Sequence, residues 1–194
     1  MLDTQRLLLT LPRREHIPAV LYYLENNRTH LQPWNPPEPP GLYTHAYWER
    51  QIAEIHELFE KGTQVRFWLF EPHQPSRLVG TIGFSQIFRG PFCSCTLGYQ
   101  LDHQFEGQGY MTEALRAAIR YMFEEQQLHR IAANYRPENI RSGRLLARLG
   151  FHIEGFAKNY LYVDGAWRDH ILTALINDAF LPVWLLTPSS LKEK

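Results

Sequence analysis

The chain has 194 residues, 20 Lys and Arg against 20 Asp and Glu, 44% hydrophobic and 21% charged residues. This is ordinary for one globular domain able to bury a core, and the charge balance supplies no global field for nucleic acid. No run of about 18 apolar residues could span a bilayer, and Met1–Leu2–Asp3–Thr4 opens no basic-then-apolar leader, so a cytoplasmic protein is expected.

In chain order, Arg6 to Leu11 reads as a strand. Glu15 to Asn26 reads as a helix, with Ile17, Val20, Leu21 and Leu24 facing inward. From Asn27 to Tyr43 the prolines 33, 36, 37, 39 and 40 exclude regular structure, and an ordered loop presenting Trp34 is expected there. A second helix runs from Thr44 to Lys61. Val65 to Glu71 and Arg77 to Phe88 form a hairpin, joined by a turn at Pro72 to Ser76. Trp48, Phe59, Phe67, Trp68 and Phe84 read as core.

A strand at Cys95 to Asp102 leads into a glycine turn and then a helix over Met111–Phe123. Leu115, Ala118, Ile119 and Met122 share one face of that helix. His129 to Tyr135 is a strand. The next helix, capped by Glu138 or Asn139, buries Leu145, Leu146 and Leu149 and ends at Gly150. Phe151 to Val163 and Trp167 to Ile176 pair around Asp164–Gly165. The domain is expected over 1–188, with 189–194 a frayed tail. Cys93 and Cys95 would share a strand face and are expected to be reduced thiols. Nine histidines show no ligand spacing, so no metal is expected. Arg141, Arg144 and Arg148 share one helix side, as a basic patch or a solvated face.

The turn Gln104-Phe105-Glu106-Gly107-Gln108-Gly109 is the strongest chemical signal. A strand, two glycines and a helix start leave several backbone N–H groups pointing one way, where the helix dipole adds positive charge. Glycine lets main chain approach a bulky anion, so the segment reads as a phosphate cradle. It lacks the third small residue of the dinucleotide fingerprint and the Gly-Lys-Ser/Thr of the mononucleotide loop. By itself it is equally a tight connection.

The turn, together with Asn139-x-x-Ser142 and the helix end Leu149-Gly150-Phe151, resembles the GNAT acyltransferases. Arg6–Leu7, Leu31-x-Pro33-Trp34, Gly107 to Ala114, Glu154–Gly155 and Asp164 to His170 look like the RimJ/RimL branch of that family. Within the branch, Leu31-x-Pro33-Trp34 and Ser142 to Phe151 look most like the RimJ-type enzymes. Those enzymes acetylate the N-terminal alanine of a small-subunit ribosomal protein.

The resemblance implies a mixed α/β (α+β) domain, a mostly antiparallel sheet of about seven strands splayed around acetyl-CoA, with flanking helices. It implies a diphosphate on the amides of Phe105, Glu106, Gly107, Gln108, Gly109, Tyr110, Met111 and Thr112, with Gln104 shaping the turn. The pantetheine arm would run along Tyr99, Gln100 and Leu101 like an added strand, and a main-chain N–H at that strand's end would face the thioester oxygen. Asn139 would either bind the pantetheine end or simply cap its helix. Ser142 would assist the leaving thiolate, or be a helix-surface serine. Leu146 stands where other N-terminal acetyltransferases of the superfamily carry a tyrosine.

The family's base positions align with Asn134 and Leu161, so no base carries over. Glu106, Glu113, Tyr162 and Asp169 are the remaining candidates, with Glu113 better suited to serving the helix start and Asp169 to binding the amine or holding Arg168. Trp34, Tyr43, Tyr160, Tyr162 and Trp167 are expected around the acceptor groove. The resulting expectation is direct transfer in a ternary complex to a ribosomal-protein N-terminus. Another amine acceptor, or a ribosome-assembly protein retaining the fold, would be the alternatives.

Overall fold

The structure, a computed structural model, describes residues 1–181. The expected boundary at 188 and the tail 189–194 lie outside the described residues. Strands β1 (Leu2–Asp3), β2 (Leu8–Thr10), β3 (Val65–Glu71), β4 (Gln74–Phe88), β5 (Ser94–Leu101), β6 (Arg130–Tyr135), β7 (His152–Val163) and β8 (Ala166–Ile176) form one sheet. Its order is β1-β2-β3-β4-β5-β6-β8-β7. Helices are α1 (Ile17–Leu31), α2 (His45–Glu60), α3 (Tyr110–Glu124) and α4 (Ile140–Arg148).

The sheet has eight strands rather than about seven. The extra one is β1, because the Thr4 N–H donates to the Leu7 carbonyl at 2.9 Å and folds the first strand into a tight turn. The α1 helix runs to Leu31, past the expected end at Asn26. Asn27, a weak helix former, is fully buried, donating to the Tyr23 carbonyl and accepting from the His103 N–H. The β3–β4 turn is tighter than the sequence suggests, since β4 begins at Gln74. Thr44 caps α2 as expected, its side chain accepting from the Tyr47 N–H.

Two apolar layers sandwich the sheet. One face packs Leu115, Ala118 and Met122 of α3 and Leu146 of α4 against Leu69, Ile82, Leu97 and Ile131. The other packs Val20 and Tyr23 of α1 and Trp48 and Ile52 of α2 against Trp68, Phe70 and Leu78. Of the aromatic residues expected in the core, Phe59 is only partly buried. Cys93 and Cys95 are both buried free thiols, and Cys93 precedes β5 with φ +38°.

One irregularity positions the site. Among the described residues only β5 and β6 are parallel neighbours, and they pair from Ser94–Arg130 to Thr96–Ala132. Beyond that point β5 continues to Leu101 and β6 to Tyr135 without joining, while β4 stays paired to β5 through Leu101. The sheet therefore opens into a cleft with one unpaired strand edge, which an extended ligand can use.

Candidate active site

The turn lies at the mouth of this cleft. Gly107 and Gly109 both adopt left-handed backbone, φ +73° and +81°, which only glycine enters without strain. Phe105 and Met111 turn their side chains into the core. The Gln104 N–H donates to Asp102 Oδ1 at 2.9 Å and its carbonyl accepts from Gln108 Nε2 at 2.7 Å, while its side-chain oxygen accepts from Arg77 Nη2 at 2.5 Å. No N–H from Gly107 through Thr112 makes a well-formed hydrogen bond among the described residues; the ladder resumes with Glu113 donating to the Gly109 carbonyl. Whereas Thr44 caps α2 and Asn139 caps α4, α3 has no side-chain cap. Consecutive free amides at a positive helix end make an anion cradle.

The carboxylates near the turn are held by cations. Glu113 accepts from Thr4 Oγ1 (2.7 Å), the Arg6 amide (2.8 Å) and Arg6 Nε (2.7 Å). Burial pushes the Glu113 carboxyl up, but these hydrogen bonds outweigh it and the net shift is downward. Arg6 also donates to the Gln108 carbonyl at 3.0 Å and lies 4.3 Å from the Tyr110 ring centre. Glu106 pairs with Arg141 of α4 and with His30, 3.3 Å away. A cavity of about 580 Å³ continues past Gly109 and Thr112 along α3, lined by Arg6, Arg116, Arg120 and Arg148.

Side chains bridge the cleft. The Tyr99 hydroxyl on β5 and Ser142 Oγ in the first turn of α4 are 2.7 Å apart. Asn139 Oδ1 accepts from the Ser142 N–H at 3.1 Å, so Asn139 is the cap, and its Nδ2 has no partner among the described residues. Gln100 Nε2 donates to Asn35 Oδ1 at 2.6 Å, Arg136 Nη1 donates to the Pro33 carbonyl at 2.5 Å, and the Asp164 amide donates to the Asn35 carbonyl at 3.1 Å. The proline-rich loop is thus ordered across the cleft, tying β5, β6 and the β7–β8 turn together. Trp34 is partly exposed under the Arg136 guanidinium, 5.4 Å from its ring centre. Asn134 Nδ2 donates to the Tyr160 hydroxyl at 2.9 Å, and the Tyr160 and His170 rings touch at 5.3 Å.

Other expected residues are placed elsewhere. Tyr162 and Trp167 meet edge to face, 5.7 Å between centres, at the exposed hairpin tip. Asp169 does not hold Arg168: it accepts from the Asn159 amide at 2.8 Å, while Arg168 pairs with Asp164 at 3.5 Å. Neighbours on a strand face opposite sides, so adjacency in sequence misleads here. Tyr43 donates to Glu38 at 2.7 Å within the loop. Leu146 is core. Sequence reasoning missed Asn35, His170 and the Tyr99 side chain; for Tyr99 the strand period Cys95, Leu97, Tyr99 held the signal, since it sends the ring toward α4.

A parallel strand pair that parts over a glycine turn, with free amides opening the following helix, makes a cleft suited to an extended ligand that carries a phosphate group. A family profile described as an acetyltransferase (GNAT) domain matches residues 6–152. The chain belongs to the GNAT acetyltransferase family, within its RimJ/RimL branch. It is 44% identical over 184 residues to the uS5-alanine N-acetyltransferase of Escherichia coli K12, covering 93% of each chain. Among solved structures, the ribosomal-protein-S5-alanine acetyltransferase of Vibrio fischeri superposes with TM-score 0.88 at 37% identity, over 93% of this chain and 98% of that one. Mycobacterium smegmatis RimJ in complex with CoA-disulfide gives 0.83 at 30%, over 89% and 82%. The protein is an acetyl-CoA-dependent acetyltransferase. Among the described residues no helix is long and apolar enough to cross a membrane, and no group of His, Cys, Asp and Glu is placed to hold a metal.

Proposed function

We propose that the enzyme transfers the acetyl group of acetyl-CoA to the N-terminal alanine amine of a small-subunit ribosomal protein, by direct attack in a ternary complex. The observation that carries this reading is the 93% two-way coverage by the uS5-alanine N-acetyltransferase at 44% identity, over a chain with its cleft and amide cradle in place. The amides of Gly107 to Thr112 take the diphosphate, with Phe105 and Glu106 forming the turn's wall. The free edge at Tyr99, Gln100 and Leu101 takes the pantetheine arm, and Asn139 Nδ2 is the donor left for it. Ser142 assists the departing thiolate.

Of the carboxylates expected as bases, Glu106 and Glu113 are ion-paired and Asp169 accepts from the Asn159 amide. An α-amino group titrates near about 7.7–8.0 and supplies its own neutral fraction. The rate under limiting acceptor therefore rises with pH up to about 8 and then levels, following the acceptor's amine. A second inflection between pH 4 and 6 in the profile would reveal an enzyme carboxylate. On the acceptor side, Trp34 and Tyr160 border the entrance.

Incubation of the protein with acetyl-CoA and purified small-subunit ribosomal proteins, followed by intact-mass and N-terminal peptide analysis, tests the reading. One protein gains a single acetyl group on an N-terminal alanine. Acetylation of small amines with every ribosomal N-terminus unmodified would overturn it.

A further inference from the structure

The two hydroxyls that meet in the cleft are chemically unequal. Tyr99 Oη and Ser142 Oγ lie 2.7 Å apart, across the gap where β5 and β6 have separated. A hydroxyl carries one proton and two lone pairs, so only one of the pair can donate to the other. A phenol is the more acidic and the stronger donor. Burial pushes the Tyr99 phenol up to about 12, the bond to Ser142 pulling the other way, so it keeps its proton throughout the neutral range. With the Tyr99 proton on Ser142 Oγ, the serine proton must go elsewhere, and no other protein acceptor takes it among the described residues. The serine backbone is held independently by Asn139.

We infer that Tyr99 is a positioning residue for the leaving group: it donates to Ser142 Oγ and so turns the Ser142 hydroxyl hydrogen into the channel, toward the departing sulfur. The inference rests on the reading of Ser142 as the thiolate's partner. In the step, the amine nitrogen forms a bond to the acetyl carbon, the carbon–sulfur bond breaks and its electron pair leaves on sulfur. The proton shed by the acylated nitrogen balances the one sulfur gains, so neither hydroxyl changes charge over a turnover. Leu146 is buried in the core at the position of the superfamily's tyrosine. Tyr99 brings a phenol to the cleft from the opposite strand.

The test uses the full-length protein with Tyr99→Phe, Ser142→Ala and the double variant. Each is assayed with acetyl-CoA and with its selenoester analogue, whose selenolate leaves without help. Tyr99→Phe is expected to lower kcat with acetyl-CoA about tenfold, the size of one lost hydrogen bond, at little change in KM. The selenoester restores kcat to near the wild-type value, and the double variant is no slower than Ser142→Ala. Equal slowing of Tyr99→Phe with both donors, no slowing at all, or additivity with Ser142→Ala would overturn the inference. Each variant is compared with itself on two donors, so general damage to the fold cannot imitate the pattern. If Ser142→Ala keeps wild-type rates on both donors, the reading of Ser142 fails first and the role of Tyr99 with it. If Ser142→Ala shows the selenoester rescue and Tyr99→Phe does not, only the inference fails.

Discussion

Gly109 carries two demands at once. Its φ of +81° opens α3 with free amides, and a Cβ there would stand 3.5 Å from the Arg6 guanidinium. Gly109→Ala is expected to cost about 1–2 kcal/mol through its left-handed backbone. Isothermal titration should show weakened coenzyme A binding alongside the lower melting temperature. Glu113 links the N-terminal segment to the same turn. Its carboxyl is held below its usual value, so its stabilisation is complete above an ordinary Glu pKa of about 4.3 and is lost as pH falls through the lower folded value. Urea melts of Glu113→Gln should therefore show lower stability than wild type at pH 7 and a shrinking difference on acidification. A difference that grows toward low pH would contradict this sign. Sequence made the glycines legible because positive φ leaves a compositional trace. Glu113 as a helix-start residue was legible as well, through the dipole. That Arg6 is its partner was not, because 107 positions separate the two.

At the scale of elements, the cleft depends on how closely β4 supports β5. A Cβ on Gly80 would fall 2.4 Å from the Gln100 carbonyl oxygen and 3.3 Å from the Leu101 Cα, both backbone atoms with nowhere to go. Gly80→Ala is expected to destabilise by about 1–3 kcal/mol through overpacking. Because the displaced residues form the strand edge proposed for the pantetheine arm, KM for acetyl-CoA should rise more than for the acceptor. Equal changes in both constants would indicate general loosening instead. Local pattern identified the four α-helices and the strands from β2 to β8, and erred at ends. The α1 terminus moved because Asn27 bonds to His103, 76 residues away. Asp169 and Arg168 parted because strand alternation overrides adjacency. The Tyr99–Ser142 bond needs the β5–β6 register and the placement of α4, neither of which local pattern encodes.

For the whole molecule, the proposed role of the cleft is a diphosphate grip with a reaction channel behind it. Anything binding only the folded state stabilises it, by about 2.7 kcal/mol at a ligand concentration of 100 Kd. For a chain of this length that corresponds to a rise in Tm of about 5–10 °C. Coenzyme A and acetyl-CoA should raise Tm alike, and adenosine lacking the diphosphate should not. The most direct measurement is amide NMR on the labelled protein titrated with coenzyme A. The largest shifts are predicted at Gly107 through Thr112, followed by Tyr99 to Leu101. Saturable binding that leaves the 107–112 amides unmoved would contradict the account.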